Sequence, residues 1–290
     1  MYQKGQKLDI LICTIDAGIT RVPKVLLEPL DTVRYVVSMQ YTDERFLLNV
    51  PEVFKTRPDV ELCYLEGRGL SRNRNHAFRK AQADILLIAD DDEKLTKEGI
   101  ENIITTYEQQ PKLDIGLFQM TDEQGHFFKK YPSLQTSYKE AVKQGYYVAS
   151  WEMTMRRSVV EKGLRFNEHF GLGSEFLSSG EEDVFLKDAL DEGLQIACLP
   201  FVIGQTDPHT TGEQFLSSPK VQRSKGATFA YCYGTANALY RCTKEALHYL
   251  VYHKANPFPL LLNQWEGIRF LQKLKANQEF NKKRKVKSEK

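Results

Sequence analysis

Ala83-Asp84-Ile85-Leu86-Leu87-Ile88-Ala89-Asp90-Asp91-Asp92-Glu93 is the stretch on which the fold turns. Ile85–Ala89 is a continuous apolar run, long enough for a strand buried on both faces and too short for a buried helix. It stops at three successive aspartates. Carboxylates on adjacent residues repel, so water must solvate them or a cation must compensate them. An acidic turn that caps the next helix is the plainer reading. The preceding stretch, Gly67-Arg68-Gly69-Leu70-Ser71-Arg72-Asn73-Arg74-Asn75-His76, sets guanidinium and amide side chains one helix away. Carboxylates for a metal beside guanidinium groups suit a diphosphate, which needs both.

Outward from this stretch, strands and helices alternate. Leu8–Cys13, Val33–Ser38 and Val60–Tyr64 are strand-like before it. A short helix is expected within Val22–Leu30, limited by Pro23 and Pro29, and a helix capped by Ser71 is expected to run to about Ala83. Ile100, Ile103, Ile104 and Tyr107 mark the next helix by their spacing, and Ile115–Met120 the next strand. Such alternation predicts a mostly parallel sheet flanked by helices, with ligands at the carboxyl ends of the strands. Thr14–Asp16, Ser38–Gln40 and Asp90–Asp92 all fall at such ends. Further on, Phe127–Tyr131 and Tyr146–Trp151 are expected as short strands and Arg156–Gly163 as a helix closed by glycine. Gly180-Glu181-Glu182-Asp183 opens a helix that Gly193 stops. Gln195–Leu199 and Phe201–Gly204 are strand-like. Helical patterns cover Ala227–Tyr252 and Leu260–Leu274. The chain divides on this reading into residues 1–215 and a helical C-terminal extension, residues 216–290, ending in the basic run Lys282-Lys283-Arg284-Lys285-Val286-Lys287.

Bulk properties narrow the function. The 290 residues are 41% hydrophobic with a net charge of +2, which argues against a nucleic-acid-binding domain. Five scattered cysteines form no C-x-x-C pair, as in a protein of a reducing compartment. The polar Met1–Lys7 is unlike a signal peptide, and no apolar run reaches transmembrane length. A cytoplasmic location is expected. The basic tail has two readings, a solvated end or an electrostatic contact with the inner face of the membrane.

The order Gly69-Leu70-Ser71-Arg72-Asn73-Arg74-Asn75, apolar strand, Asp90-Asp91-Asp92, then Phe166…Phe170-Gly171 and Gly180-Glu181-Glu182, resembles family 2 glycosyltransferases of GT-A (Rossmann-like) fold over roughly residues 7–215. The resemblance implies inverting transfer of a sugar from a nucleotide-diphosphate donor to a glycan or lipid-linked acceptor, assisted by Mn²⁺ or Mg²⁺. It implies that Asp92, with Asp90, binds the metal and that Asp90 or Asp91 holds the ribose or sugar. Thr14 and Asp16 match the first nucleotide-binding loop. Gln40 stands where many relatives carry an acidic pair that reads the base. Arg72 is the favoured diphosphate clamp, with Arg68 and Asn73 beside it; a salt-bridged helix face is the other reading of these arginines. Glu182 falls in the position of the catalytic base and Asp183 one residue beyond, although both also suit a helix cap. His209 is a candidate third metal ligand or a solvent-exposed histidine. Two other classes fit less well. A nucleotidyltransferase would carry a glycine-rich basic loop after the first strand, and a non-catalytic relative would have lost the acidic segments.

Overall fold

The computed structural model describes residues 5–207, 211–254 and 256–288. They divide into two compact units, Met1–Glu168 with Phe185–Pro208, and His169–Val184 with His209–Lys290. His209 itself lies outside the described residues.

The first unit is built on a mixed sheet: β1 (Leu8–Ile15), β2 (Val33–Tyr41), β3 (Val60–Glu66), β4 (Ile85–Ala89), β5 (Lys94–Leu95), β6 (Ile115–Thr121), β7 (Thr136–Ser137), β8 (Met153–Arg156) and β9 (Ile196–Gln205). The spatial order is β3-β2-β1-β4-β8-β6-β9-β5, with β7 also on β9. The first four strands in that order are mutually parallel. β8 runs antiparallel to both β4 and β6 and so joins the parallel block to β6 and β9, which are parallel to each other. The helices are α1 (Val53–Thr56), α2 (Leu70–Lys80), α3 (Lys97–Gln109), α4 (Tyr138–Lys143), α5 (Arg157–Glu161), α6 (Glu181–Asp191), α7 (Pro219–Tyr233), α8 (Thr235–His253) and α9 (Pro257–Ser288). Every residue of β4 is buried, as its unbroken apolar sequence requires of a strand covered on both faces. Thr14 lies opposite Met39, Gln40 opposite Leu65, and Ala89 opposite Ile12, so the loops after β1, β2 and β4 share one edge. At the other end of these strands Arg34 is fully buried in a two-pronged pair with Asp9 (2.9 and 2.6 Å) and bonds Glu61 at 2.7 Å. Asp9 also accepts the Gln82 and Ala83 amides at 2.6 and 3.0 Å, which ties the entry of β4 to β1.

Several local expectations change. A short 3₁₀ turn at Val22–Lys24, preceded by another at Asp16–Thr20, replaces the helix expected in Val22–Leu30, because Pro23 and Pro29 deny it backbone donors. Gly69 (φ 121°), not Ser71, caps α2, and Ser71 is buried in its first turn. Phe127–Tyr131 is not a strand. The Lys129 side chain turns inward to pair with buried Glu152 at 2.5 Å, and Tyr131 and Tyr146 donate to the same carboxylate at 2.7 and 2.5 Å. The strand expected at Tyr146–Trp151 forms instead at Met153–Arg156, after a 3₁₀ turn at Ser150–Glu152. The two strands expected around Pro200 are one, β9, whose pairing with β6 shifts register there. The long helix expected over Ala227–Tyr252 is broken at Gly234 (φ 80°).

The second unit is a helical assembly of α7, α8 and α9 on the segment His169–Val184. Phe170, Leu177, Val184, Ala227, Ala230, Ala238, Cys242, Ile268 and Leu271 form its core. α7 and α9 meet backbone to backbone: a Cβ on Gly226 would run into the Gln264 carbonyl, and one on Gly267 into the Arg223 carbonyl. Gly267→Val should therefore separate the helices and lower stability by about 1–3 kcal/mol, read as a fall in the midpoint of chemical unfolding.

Candidate active site

The carboxyl edge of the parallel strands sets four acidic side chains into four different environments. Asp91 is buried and both its oxygens are engaged. Thr14 Oγ1 donates to Oδ2 at 2.5 Å, and Arg21 donates to Oδ1 from Nη2 (2.5 Å) and Nε (3.1 Å). The turn after β1 allows this approach because residue 18 is glycine; a Cβ there would collide with both Asp91 and Thr14. Glu93 has no solvent exposure, accepts the Asp90 amide at 2.6 Å through Oε1, and leaves Oε2 without a hydrogen-bond partner. Burial, and then the neighbouring Asp90, raise its carboxyl well above the usual range. Asp90 is half-buried and faces Arg74 at 3.6 Å. Asp92 alone of the four is exposed. Its carboxyl is nevertheless raised, first by partial desolvation and then by the like charge of Asp91, with Asp207 adding and Arg21 opposing.

α2 supplies brackets rather than a row of ligand contacts. Asn73 is buried, donates to the Thr14 and Ser38 carbonyls at 3.0 Å each, and accepts from Ser38 Oγ at 2.6 Å. It thereby fixes the ends of β1 and β2 side by side. Asn75 does the same for the loop before the second unit, exchanging hydrogen bonds of 2.9 Å with the Phe166 backbone in both directions. Arg74 is buried, donates to Ser150 Oγ at 2.6 Å and lies 5.2 Å from the centre of the Phe166 ring. Arg72 curls back onto the Glu66 carbonyl at 2.9 Å. Arg68 is exposed and makes no hydrogen bond or ion pair among the described residues, so of the three arginines it projects most directly into solvent at this edge. Asp16, at φ 50°, accepts from the Thr42 amide at 2.7 Å and from the Thr42 hydroxyl, joining the loops after β1 and β2. Gln40 is buried at the end of β2, and its Nε2 has no hydrogen-bond partner. Phe166 is a core residue stacked on Phe185 at 4.5 Å, and Trp151 packs against the main core.

Thr14, Asp16, Gln40, Asn73 and Asp90–Asp92 thus share one edge of the first unit, with Arg68 and Arg72 at the mouth of α2. The sequence did not single out Arg21 and Asp207. Only the fold brings Arg21 back onto Asp91, and Asp207 could have been suspected from the polar stretch that follows a strand. Among the described residues no group of three or more His, Cys, Asp or Glu is gathered closely enough to hold an ion by itself. The donor chemistry still fits a hard divalent cation: Asp92 is exposed and repelled by Asp91 and Asp207, and such ions often take few protein oxygens.

In the second unit, Gly180 (φ 87°) turns the chain into α6 under Thr228, whose hydroxyl occupies the space a Cβ would need. Glu181 is buried, Glu182 half-buried and Asp183 exposed. Desolvation pushes the Asp183 carboxyl up to about 6, with Lys225 opposing and Glu182 adding.

This edge, on a sheet of this order with helices about it, defines a GT-A-type α/β fold. Residues 43–164 match the family model described as Glycosyl transferase family 2. Comparison with curated proteins gave no match. Among solved structures the chain is similar to S. aureus TarS, with a TM-score of 0.56 and 16% identity over 84% of this chain and 44% of that one. It is similar also to TarS 1-349 in complex with UDP-GlcNAc (TM-score 0.55, 16% identity, 85% of this chain and 73% of that one). With the same protein in complex with UDP the TM-score is 0.54 at 17% identity, over 85% and 72%. This chain spans less than half the length of the full TarS chain. The family model supports a family 2 glycosyltransferase domain in this part of the chain, and these neighbours share its fold.

The environments of the acidic run make distinct expectations for its members. Asp92→Asn should leave the unfolding temperature unchanged or slightly raised, because it removes a like charge, while Mn²⁺ binding followed by electron paramagnetic resonance is lost. Asp91→Ala should instead cost about 1–3 kcal/mol of stability, because it leaves Thr14 and Arg21 unpaired.

Proposed function

We propose that this chain transfers a sugar, with inversion, from a UDP-linked donor to a hydroxyl of a glycan or lipid-linked saccharide. The observation that carries the proposal is the exposed Asp92, set among like charges at the strand edge beside the mouth of α2. That edge carries the family's motif order, and the similar TarS fold is known in complex with UDP-GlcNAc and UDP. Asp92 and Asp207 would hold Mn²⁺ or Mg²⁺, which when bound neutralises charge developing on the leaving diphosphate. Arg68, exposed at the mouth of α2, is the side chain best able to reach a diphosphate, and Arg72 can follow if it releases the Glu66 carbonyl. Gln40 offers an amide donor toward the nucleotide base, where an acidic residue would offer only acceptors. Asn73, Asp91 and Asp16 act indirectly, holding the β1 and β2 loops that frame the nucleotide.

In the transfer step the acceptor oxygen attacks the anomeric carbon from the face opposite the diphosphate. The bond to the diphosphate oxygen breaks with its electron pair leaving on that oxygen, and the hydroxyl proton passes to a carboxylate of α6. Motif spacing favours Glu182 for this role. The environment favours Asp183, because a carboxyl near 6 is ionised at neutral pH yet basic enough to take a proton in the transition state. We assign the base to Asp183 and a supporting charge to Glu182.

Two measurements test the assignment. Asp183→Asn should lower turnover by roughly 10²–10⁴-fold with donor affinity unchanged, and Glu182→Gln should be milder. The reverse ranking gives the base to Glu182, and full activity in both variants removes the segment from catalysis. The pH profile follows from the same group. Because the base must be deprotonated, kcat/KM should be level above about 6 and fall about tenfold per pH unit below it. A profile flat through that range would contradict the role of Asp183.

A further inference from the structure

The helix α8 is apolar on two separate faces, and its own unit covers only one of them. Ala238, Cys242 and Ala246 form the buried stripe against the neighbouring helices. Tyr240, Leu247 and Val251 lie about 160° further around the helix at 100° per residue. They are 67, 54 and 67% exposed, with Leu239 and Leu250 along the near edge of the same stripe. Phe258, Leu262 and Trp265 repeat the pattern on the first turns of α9, spaced i, i+4, i+7 and all exposed. A soluble helix normally turns one stripe inward and polar residues outward. Contiguous exposed apolar and aromatic side chains mark a surface that meets something.

The charge of this region indicates what. Residues 235–288 carry eleven lysines and arginines against three acidic residues, whereas residues 1–234 carry 28 against 34. One of the three acids, Glu245, is hydrogen-bonded to Gln264 at 2.6 Å inside the helical assembly and does not offset the surface charge. On α8 the residues beside the exposed stripe are polar or basic, Lys244 and Arg241 among them. We propose that the exposed stripe of α8, with the start of α9, is a docking surface for an anionic lipid bilayer. The apolar and aromatic side chains enter the interfacial layer, and the surrounding basic residues meet the lipid headgroups. Tyr and Trp suit such a position because each has an apolar body and a polar tip. No helix among the described residues is long and apolar enough to cross a membrane, so the chain would lie on the surface through this face. A second copy is disfavoured as the occupant, because it would set two strongly basic faces against each other. The proposal does not depend on the catalytic assignment.

The test uses the full-length chain in co-sedimentation with vesicles of phosphatidylcholine alone and of phosphatidylcholine mixed with phosphatidylglycerol. Binding should require the anionic lipid and weaken with salt. The triple variant Tyr240→Ser, Leu247→Ser, Val251→Ser should bind at least about tenfold more weakly, with circular dichroism and thermal unfolding unchanged because all three side chains are exposed. Lys244→Glu, which leaves the apolar stripe intact, should weaken binding to anionic vesicles alone. The proposal is overturned if the wild-type chain ignores anionic vesicles, or if the triple variant binds them equally. It is overturned too if sedimentation velocity shows a lipid-independent dimer that the triple variant dissociates, which would give the face to a second copy.

Discussion

Four consecutive carboxyl groups at the end of a buried strand cannot all stay charged in one environment, and the protein separates them. Asp90 faces Arg74, Asp91 is held by Thr14 and Arg21, and Asp92 is left at the surface. Glu93 is buried, and that burial raises its carboxyl and disfavours a fourth negative charge. The turn after β1, the glycine at position 18 and the first turn of α2 are all arranged around this division. It is also what leaves Asp92 at the surface while the rest of the run is fixed.

Rigidity around this edge comes from polar groups that are buried and paired. Asn73 satisfies carbonyls at the ends of two parallel strands, which would otherwise lack donors where the ladder stops. Arg34, Asp9 and Glu61 perform the corresponding task at the opposite end of the same strands. The Lys129–Glu152 pair, with Tyr131 and Tyr146, pins the long connection between β6 and β8. Breaking any one of these by removing a single partner would strand a buried polar group, which costs more than the pair contributes.

The parallel block was legible in the sequence because β1, β2 and β4 are buried on both faces and therefore read as mostly apolar runs, unbroken in β4. The site edge was legible for a related reason: polar residues at the ends of such runs have only one side of the sheet to occupy. Side-chain direction was not. Asn73 and Asn75 lie in a motif rich in potential ligands, yet the turn of α2 aims both inward. Phe127–Tyr131 has the composition of a strand, but it surrounds a lysine whose buried partner, Glu152, is 23 residues away in sequence and cannot be inferred from local pattern. The two apolar stripes of α8 are both visible as helical periodicity, and only packing distinguishes the covered one from the exposed one. The break at Gly234 was missed because a single glycine inside a helical pattern is often tolerated.

The account rests on a nucleotide-diphosphate sugar binding at the edge formed by Thr14, Gln40, Asp92 and the mouth of α2. The most direct measurement is thermal unfolding of the full chain with a panel of nucleotide sugars and free nucleotides, each with and without Mn²⁺. A UDP-linked sugar should raise the unfolding temperature in the presence of the metal, with stabilisation approaching about 2.7 kcal/mol at a hundredfold excess over Kd. The gain should fall when Mn²⁺ is withheld, and GDP- or CDP-linked sugars should produce little of it. If no nucleotide sugar shifts the transition under either condition, or if the shift is the same for Mn²⁺ alone, the edge is not a donor site and the account is wrong.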